Sequence, residues 1–280
     1  MLSYRHGFHA GNFADVLKHL VQVEILAHML KKDKAFDYID THAGAGLYRL
    51  GTEMAAKNQE YQTGIGHLLP DTGQWPEMAC YLNAVKAHNP DAQLQFYPGS
   101  PAIAADLLRP YDRGWLFELH PADSEHLRKN FRERKQFIVR QQDGFRGLSA
   151  LLPSQSRRAF VLIDPPYEMK ADYQRVVEAL KLIHRKMSTA TVAIWYPVVD
   201  RKRIEQLQRQ IVATGIRRIV QFELGIKKDS AGHGMTSSGI IVLNPPWTLT
   251  ETMGALLPRL AEEISEDGGV HYRCETLVPE

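Results

Sequence analysis

The sequence predicts an α/β fold built on a mostly parallel sheet of seven strands, and three observations carry that prediction. Short apolar runs bounded by breakers recur along the chain. Amphipathic stretches of helical period separate most of them, the pattern of a parallel sheet covered on both faces. The final connection, residues 224–238, is rich in Gly, Ser and Lys and has no helical period. It suits an antiparallel return strand better than a right-handed crossover.

The elements follow in order. A helix is expected at 13–31, where Val16, Leu20, Val23, Ala27 and Leu30 form an apolar stripe and Asn12 is placed as N-cap. Strands are expected at 36–40, 115–119, 137–140, 160–163, 192–196, 218–222 and 240–243. The clearest intervening helices are 122–134, 171–186 and 201–213. One interval, 40 to 115, is far longer than a strand–helix–strand crossover needs. Within it, Pro98-Gly99-Ser100-Pro101 reads as a fresh helix start, with Ser100 as N-cap and Pro101 in the first helical position. The crossover helix then runs to about residue 108, and residues 48–95 form an inserted helical subdomain. Met78, Leu82 and Val85 mark the apolar face of that insertion, and the rest of residues 1–280 forms a single domain.

Bulk composition narrows the function classes. With 44% hydrophobic and 24% charged residues the chain is an ordinary globular protein. No apolar run reaches membrane-spanning length, and the first residues lack the apolar core of a signal peptide. Cys80 and Cys274 are too few for a disulfide framework and have no zinc spacing. These features point to the reducing cytoplasm, away from membranes; a monomer is expected. The net charge of +2 does not by itself announce a nucleic-acid binder. Basic clusters such as Arg201-Lys202-Arg203, Arg217-Arg218 and Lys227-Lys228 each read as solvated faces, although a subset on one face would bind phosphates.

The chemistry concentrates at strand ends. Phe160-Val161-Leu162-Ile163 stops at Asp164-Pro165-Pro166-Tyr167. Proline donates no ladder hydrogen bond, so the strand ends there. It presents a carboxylate, a carbonyl held by prolines and a flat ring, equipment for gripping a planar amino group. The first strand runs into Asp40-Thr41-His42-Ala43-Gly44-Ala45-Gly46, a turn that lets a ligand approach the backbone. A dinucleotide fingerprint would place a third glycine at 49, where the chain has Arg49. Glu118 ends the next strand and can accept ribose hydroxyls, and Asp143-Gly144 follows the third. Taken singly, each has a bland reading as a turn or a surface acid. Their order is informative, because each lies where open parallel sheets bind ligands. His6, His9 and His19 have no partner Cys or His-x-x-x-His spacing, so no metal site is expected. A second proline pair, Asn244-Pro245-Pro246-Trp247, follows the antiparallel strand, faces the wrong edge and reads as a terminator.

This order resembles the class I S-adenosylmethionine-dependent methyltransferases, and Asp164-Pro165-Pro166-Tyr167 resembles their amino-methylating motif. The block from Tyr4 to His19, Tyr-Arg-His-Gly-Phe-His-Ala-Gly-Asn-Phe-Ala-Asp-Val-Leu-Lys-His, is similar to the signature of the RlmJ family of bacterial 23S ribosomal RNA adenine-N6 methyltransferases. The resemblance covers the whole chain, insertion included. It implies a Rossmann-like, seven-stranded, mostly parallel sheet with an antiparallel last strand, S-adenosyl-L-methionine as methyl donor and ribosomal RNA as partner. It places His19, His42, Ser100, Glu118, Asp143, Gly144 and Asp164 at the cofactor, and Tyr4, His6 and Lys18 on the substrate side.

In this reading Asp164 and the Pro165 carbonyl accept the two N6 hydrogens and aim the lone pair at the sulfonium methyl. Tyr167 stacks on a base drawn out of its helix. The N-terminal segment orders over the site, and the insertion helps hold RNA without being needed to close the sheet. If instead Lys18 pointed to water, its loss would matter little; on the substrate-side reading its loss is expected to cut transfer while leaving stability nearly unchanged. The competing readings are a DNA adenine methyltransferase, a methyltransferase for guanine N2 or a protein amide, a nicotinamide-dependent oxidoreductase and a non-catalytic RNA-binding module. Arg49 and the Asp-Pro-Pro-Tyr motif count against the oxidoreductase.

Overall fold

A computed structural model describes residues 6–51, 59–91, 93–229 and 234–280; Tyr4 lies outside them. The strands are β1 (Asp37–Asp40), β2 (Leu47–Arg49), β3 (Phe96–Pro98), β4 (Arg113–Phe117), β5 (Phe137–Arg140), β6 (Ala159–Ile163), β7 (Thr191–Val198), β8 (Ile219–Gly225), β9 (Ser237–Leu243) and β10 (His271–Val278). The helices are α1 (Phe13–Leu30), α2 (Ile65–Leu68), α3 (Ala79–Ala87), α4 (Ser100–Leu107), α5 (Pro121–Phe131), α6 (Gly144–Leu151), α7 (Lys170–Lys186), α8 (Arg201–Val212) and α9 (Leu249–Glu263).

The main sheet runs β10-β8-β9-β7-β6-β1-β4-β5. It therefore holds eight strands where seven were expected. The strand expected last, β9, does run antiparallel to both β7 and β8. The added strand β10 pairs antiparallel with β8 at the edge. Its sequence, His-Tyr-Arg-Cys-Glu-Thr-Leu-Val, is half exposed and polar, so it lacks the apolar run that marks a buried strand. The run β7-β6-β1-β4-β5, which ends at the other edge, is parallel, with Asp40 level with Leu162 on one side and Leu116 on the other. This register brings the C-terminal ends of β1, β4 and β6 to one edge.

Side chains of β6 alternate between two cores. Phe160 and Leu162 join the layer with α1, α4 and α9; Val161 and Ile163 join the layer with α7 and α8. Asn12 caps α1 as expected, its side-chain oxygen accepting from the amides of Ala14 and Asp15. The apolar stripe on that helix was read too narrowly. Leu17, Val21, Ile25 and Leu26 are buried beside Val16, Leu20 and Val23, while Ala27 and Leu30 are only half-buried. The helix is buried on most of its faces, polar residues Asp15, Lys18, His19 and Gln22 included, because α1 lies between the sheet and helices α3, α4 and α9.

Among the described residues, the insertion contributes no strand to the main sheet. Leu47–Arg49 and Phe96–Pro98 pair antiparallel at its base, two strands the pattern did not reveal because each is three residues long. Met78, Leu82 and Val85 are buried in the same core as α1. Ser100 is not the N-cap of α4: Gly99 holds the extended flanking conformation, and Ser100 is the first helical residue. Arg201 also departs from the solvated reading of its cluster. Its guanidinium lies 2.7 Å from the buried Glu223 carboxylate and 2.6 Å from Asp229. Among the described residues no helix is long and apolar enough to cross a membrane.

Candidate active site

The ends of β1, β4, β5 and β6 open into a cavity of about 250 Å³. His19, His42, Gly44, Ser100, Glu118, Asp143, Gly144, Asp164 and Pro165 all line it, with His6 and Lys18. Ten positions between 42 and 165 or on α1 thus converge from separate elements; the order along the chain pointed to the glycine turn, Glu118, Asp143-Gly144 and Asp164, and the family resemblance to His19, His42, Ser100 and Lys18. Asn244, Pro245, Pro246 and Trp247 line neither this cavity nor its neighbour.

The glycine turn is built by conformation and by hydrogen bonds. Gly44 and Gly46 hold φ of 59° and 79°, where side chains are strained. The Gly44 amide donates to Glu118 Oε2 at 2.8 Å, and the His120 amide donates to Oε1 at 2.6 Å. Burial raises the Glu118 pKa, and the two amides oppose that rise. Each oxygen keeps a lone pair for a further donor. Gly144 answers a different constraint. A Cβ there would stand 2.1 Å from the Thr41 carbonyl oxygen, so glycine lets the start of α6 close on the end of β1. Asp143 caps that helix through the Phe145 amide and pairs with Arg175.

Behind the turn lies a network that sequence reasoning missed. Asp40 is fully buried, and its Oδ2 accepts from Tyr38 and from Ser100 Oγ, each at 2.7 Å. Burial raises its pKa against both hydrogen bonds. Gln22 reaches across from α1 to the Ser100 carbonyl at 2.7 Å. Ser100 thereby ties α4 to β1 instead of capping its own helix. His19 is wholly buried, with Nδ1 2.6 Å from the Tyr97 hydroxyl. Its Nε2 has no hydrogen-bond partner among the described residues, an expense that an occupant of the cavity would remove. Burial holds the His19 pKa well below the usual range and pushes that of His42 down to about 4, so both imidazoles are neutral.

A second cavity, about 380 Å³, lies beside the first. His6, Lys18, Asp164, Pro166 and Trp195 line both. Asp164 therefore stands in the wall between two compartments. Lys18 does not point to water. It is 4% exposed, and its Nζ lies 2.7 Å from Asp164 Oδ2 and 2.8 Å from Asp15 Oδ1. Burial works against the Lys18 charge, but the two carboxylates outweigh it and raise its pKa well above the ordinary range. Tyr167 takes a φ of 52° that turns its ring inward. Its hydroxyl donates to the Trp195 carbonyl at 2.6 Å, and its ring packs 4.6 Å from Tyr173. It walls the second cavity as a fixed aromatic surface. Among the described residues no cluster of His, Cys, Asp or Glu is arranged to hold a metal ion.

Carboxylates outnumber the cations Lys18 and Arg175 around the first cavity, which suits a positively charged ligand. Its acids include Glu118, Asp123, Asp143 and Glu168, and the orphaned His19 Nε2 lies at its wall. The second cavity is aromatic, with Tyr167, Tyr173 and Trp195, and carries the cations Lys18 and Arg203 beside the acids Asp15, Asp164 and Asp200.

Comparison with known proteins shows the family. Residues 33–278 match the family described as ribosomal RNA large subunit methyltransferase D, RlmJ. The chain is 48% identical over 280 residues to ribosomal RNA large subunit methyltransferase J of Escherichia coli strain K12, covering all of both chains. It is 46% identical over 281 residues to the protein of that name in Haemophilus influenzae, again over all of both. A crystal structure of a Legionella pneumophila protein, 35% identical, superposes with a TM-score of 0.89 over 96% of this chain and 98% of that one. With the family model spanning most of the chain and full-length relatives near half identity, this chain belongs to the RlmJ family of ribosomal RNA large subunit methyltransferases.

Proposed function

We propose that this protein transfers the methyl group of S-adenosylmethionine to N6 of an adenine in 23S ribosomal RNA. The observation that carries the reading is Asp164 standing in the wall shared by an acid-lined cavity and an aromatic, cation-bearing one. S-adenosylmethionine supplies an electrophilic methyl on a sulfonium. Glu118 would hold its ribose hydroxyls, the glycine turn and Asp143-Gly144 its nucleoside, and His19, His42 and Ser100 the remainder of the cavity.

The target amine is a poor nucleophile because its lone pair is delocalised into the ring. Asp164 accepts one N6 hydrogen and the Pro165 carbonyl the other, which draws nitrogen toward tetrahedral geometry. Such positioning supplies much of a rate enhancement. The bound cofactor would supply the methyl to N6, its sulfur keeping the electron pair of the carbon–sulfur bond. Asp164 stabilises the charge that develops on nitrogen and is placed to receive the proton it sheds. The base enters the second cavity against Tyr167 and Trp195, which requires it to leave its helix stack. Lys18 and His6 stand on that side, and Tyr4 is proposed to join them. Glu60 of the insertion accepts hydrogen bonds from His9 and Asn12 at the rim of this cavity, which supports a role for the insertion in holding RNA.

Incubation with deproteinised 23S RNA and methyl-labelled S-adenosylmethionine tests the reading. Nucleoside digestion and mass analysis are expected to find the label in N6-methyladenosine. Label in N2-methylguanosine, preferential transfer to DNA of equal sequence, or binding without transfer would each reject it.

Glu118→Ala is expected to weaken cofactor binding at least 10-fold and leave RNA affinity unchanged. It loses two ribose hydrogen bonds worth about 1 kcal/mol each or somewhat more, and it frees the Gly44 amide that shapes the turn. Calorimetry with each ligand separately is the check; unaltered cofactor affinity would rule out the ribose role.

A further inference from the structure

Asp15 lies in the first turn of α1. An acid there is ordinarily a solvated complement to the helix dipole. This one is 1% exposed. Its Oδ2 accepts from the Gly11 amide at 2.8 Å and lies 2.9 Å from His6 Nε2, and its Oδ1 lies 2.8 Å from Lys18 Nζ. Capping does not require it, because Asn12 already accepts from the first amides of the helix. Resting on the function proposed above, we infer that Asp15 is a positioning residue for methyl transfer, the standing partner of Lys18 that leaves the Asp164 carboxylate available to the target amine.

One buried ammonium faces two carboxylates, and the two are not equivalent. Asp15 shares a helix face with Lys18 three residues on and is fixed by a backbone amide. Asp164 comes from the end of β6, 146 residues away, and lines both cavities. Were Lys18 neutralised by Asp164 alone, an incoming amine would have to break a buried ion pair to reach the carboxylate. Breaking such a pair is costly because one charge is left uncompensated. With Asp15 in place the ammonium keeps a counter-ion whenever Asp164 turns an oxygen toward the base. The same carboxylate holds His6, so one residue orients two groups of the base cavity.

The test uses Asp15→Asn, Lys18→Met and the double variant, with single-turnover methyl transfer to 23S RNA, S-adenosylmethionine affinity by calorimetry, and melting curves. Asp15→Asn keeps the shape and removes the charge. It is expected to slow transfer roughly 10- to 100-fold, the scale of a charged hydrogen bond, with cofactor affinity unchanged. In the Lys18→Met background the same change is expected to add no further loss, the signature of two residues acting as a unit. Additive losses, or a wild-type rate in folded Asp15→Asn, would overturn the inference. If Asp15→Asn does not fold, Asp15→Ser, which also removes the charge, decides: a slowed turnover with unchanged KM for the cofactor supports the role, and full activity removes it. Wild-type protein that transfers no methyl in the same assay would instead sink the proposed function.

Discussion

Asp164→Ala is expected to lower methyl transfer on the order of 10³-fold or more while leaving a folded protein, since both proton handling and charge stabilisation are lost together. The fold is expected to survive for a specific reason. Removing Asp164 does not strand Lys18, whose Nζ keeps Asp15 Oδ1 at 2.8 Å. Asp164 also follows the last residue of β6 and contributes nothing to the sheet ladder. Cofactor affinity measured beside the rate separates lost chemistry from lost binding. Turnover near the wild-type rate in a folded variant would end the mechanism proposed for this carboxylate.

Lys18→Ala is expected to fail differently. The substrate-side reading called for lost transfer with stability nearly unchanged, but Lys18 lies between two carboxylates and is itself buried. Its removal leaves Asp15, 1% exposed, without its cation. Truncating one partner of a buried pair costs about 3–5 kcal/mol. The pKa of Asp15 sets the sign of the pH dependence. Burial would raise it, but His6 and Lys18 outweigh burial and hold it well below the ordinary carboxylate value. A depressed native pKa contributes stability that is present above the unfolded value and is lost as pH falls through the native one. Wild-type protein should therefore lose stability in acid, below the ordinary carboxylate pKa, and Lys18→Ala should lose less over that interval because part of the contribution is already gone. Melting curves against pH for both proteins measure this; parallel curves would mean that Asp15 and Lys18 are not coupled.

What could be read from the residues was local. Asp164-Pro165-Pro166-Tyr167 announces itself because strand, terminator and acid are contiguous. Glu118 and Gly144 gain meaning from their order, which topology converts into proximity. Contacts made across the fold left no such trace. Ser100 bonds to Asp40 over 60 positions and Lys18 to Asp164 over 146, and no periodicity encodes either pairing. Asp15 looked like an ordinary first-turn acid, and only its burial marks it otherwise. The edge strand β10 escaped notice because its alternation mixes charge with apolar residues, as exposed edges require.

The hydrogen-bonded series His19–Tyr97–Tyr81 reaches from the cofactor cavity into the insertion. His19 Nδ1 lies 2.6 Å from the Tyr97 hydroxyl, which lies 3.0 Å from that of Tyr81 on α3. All three rings are wholly buried, so no water relays between them. The insertion is therefore not a portable cassette. Excising it would strip Tyr97 of a partner directly behind the imidazole that lines the first cavity, and grafting it elsewhere would carry off a buried hydroxyl with nothing to bond. Local openings of α3 and of that cavity are expected to form one cooperative unit, so that ligand bound at His19 should slow amide exchange in a segment it never touches.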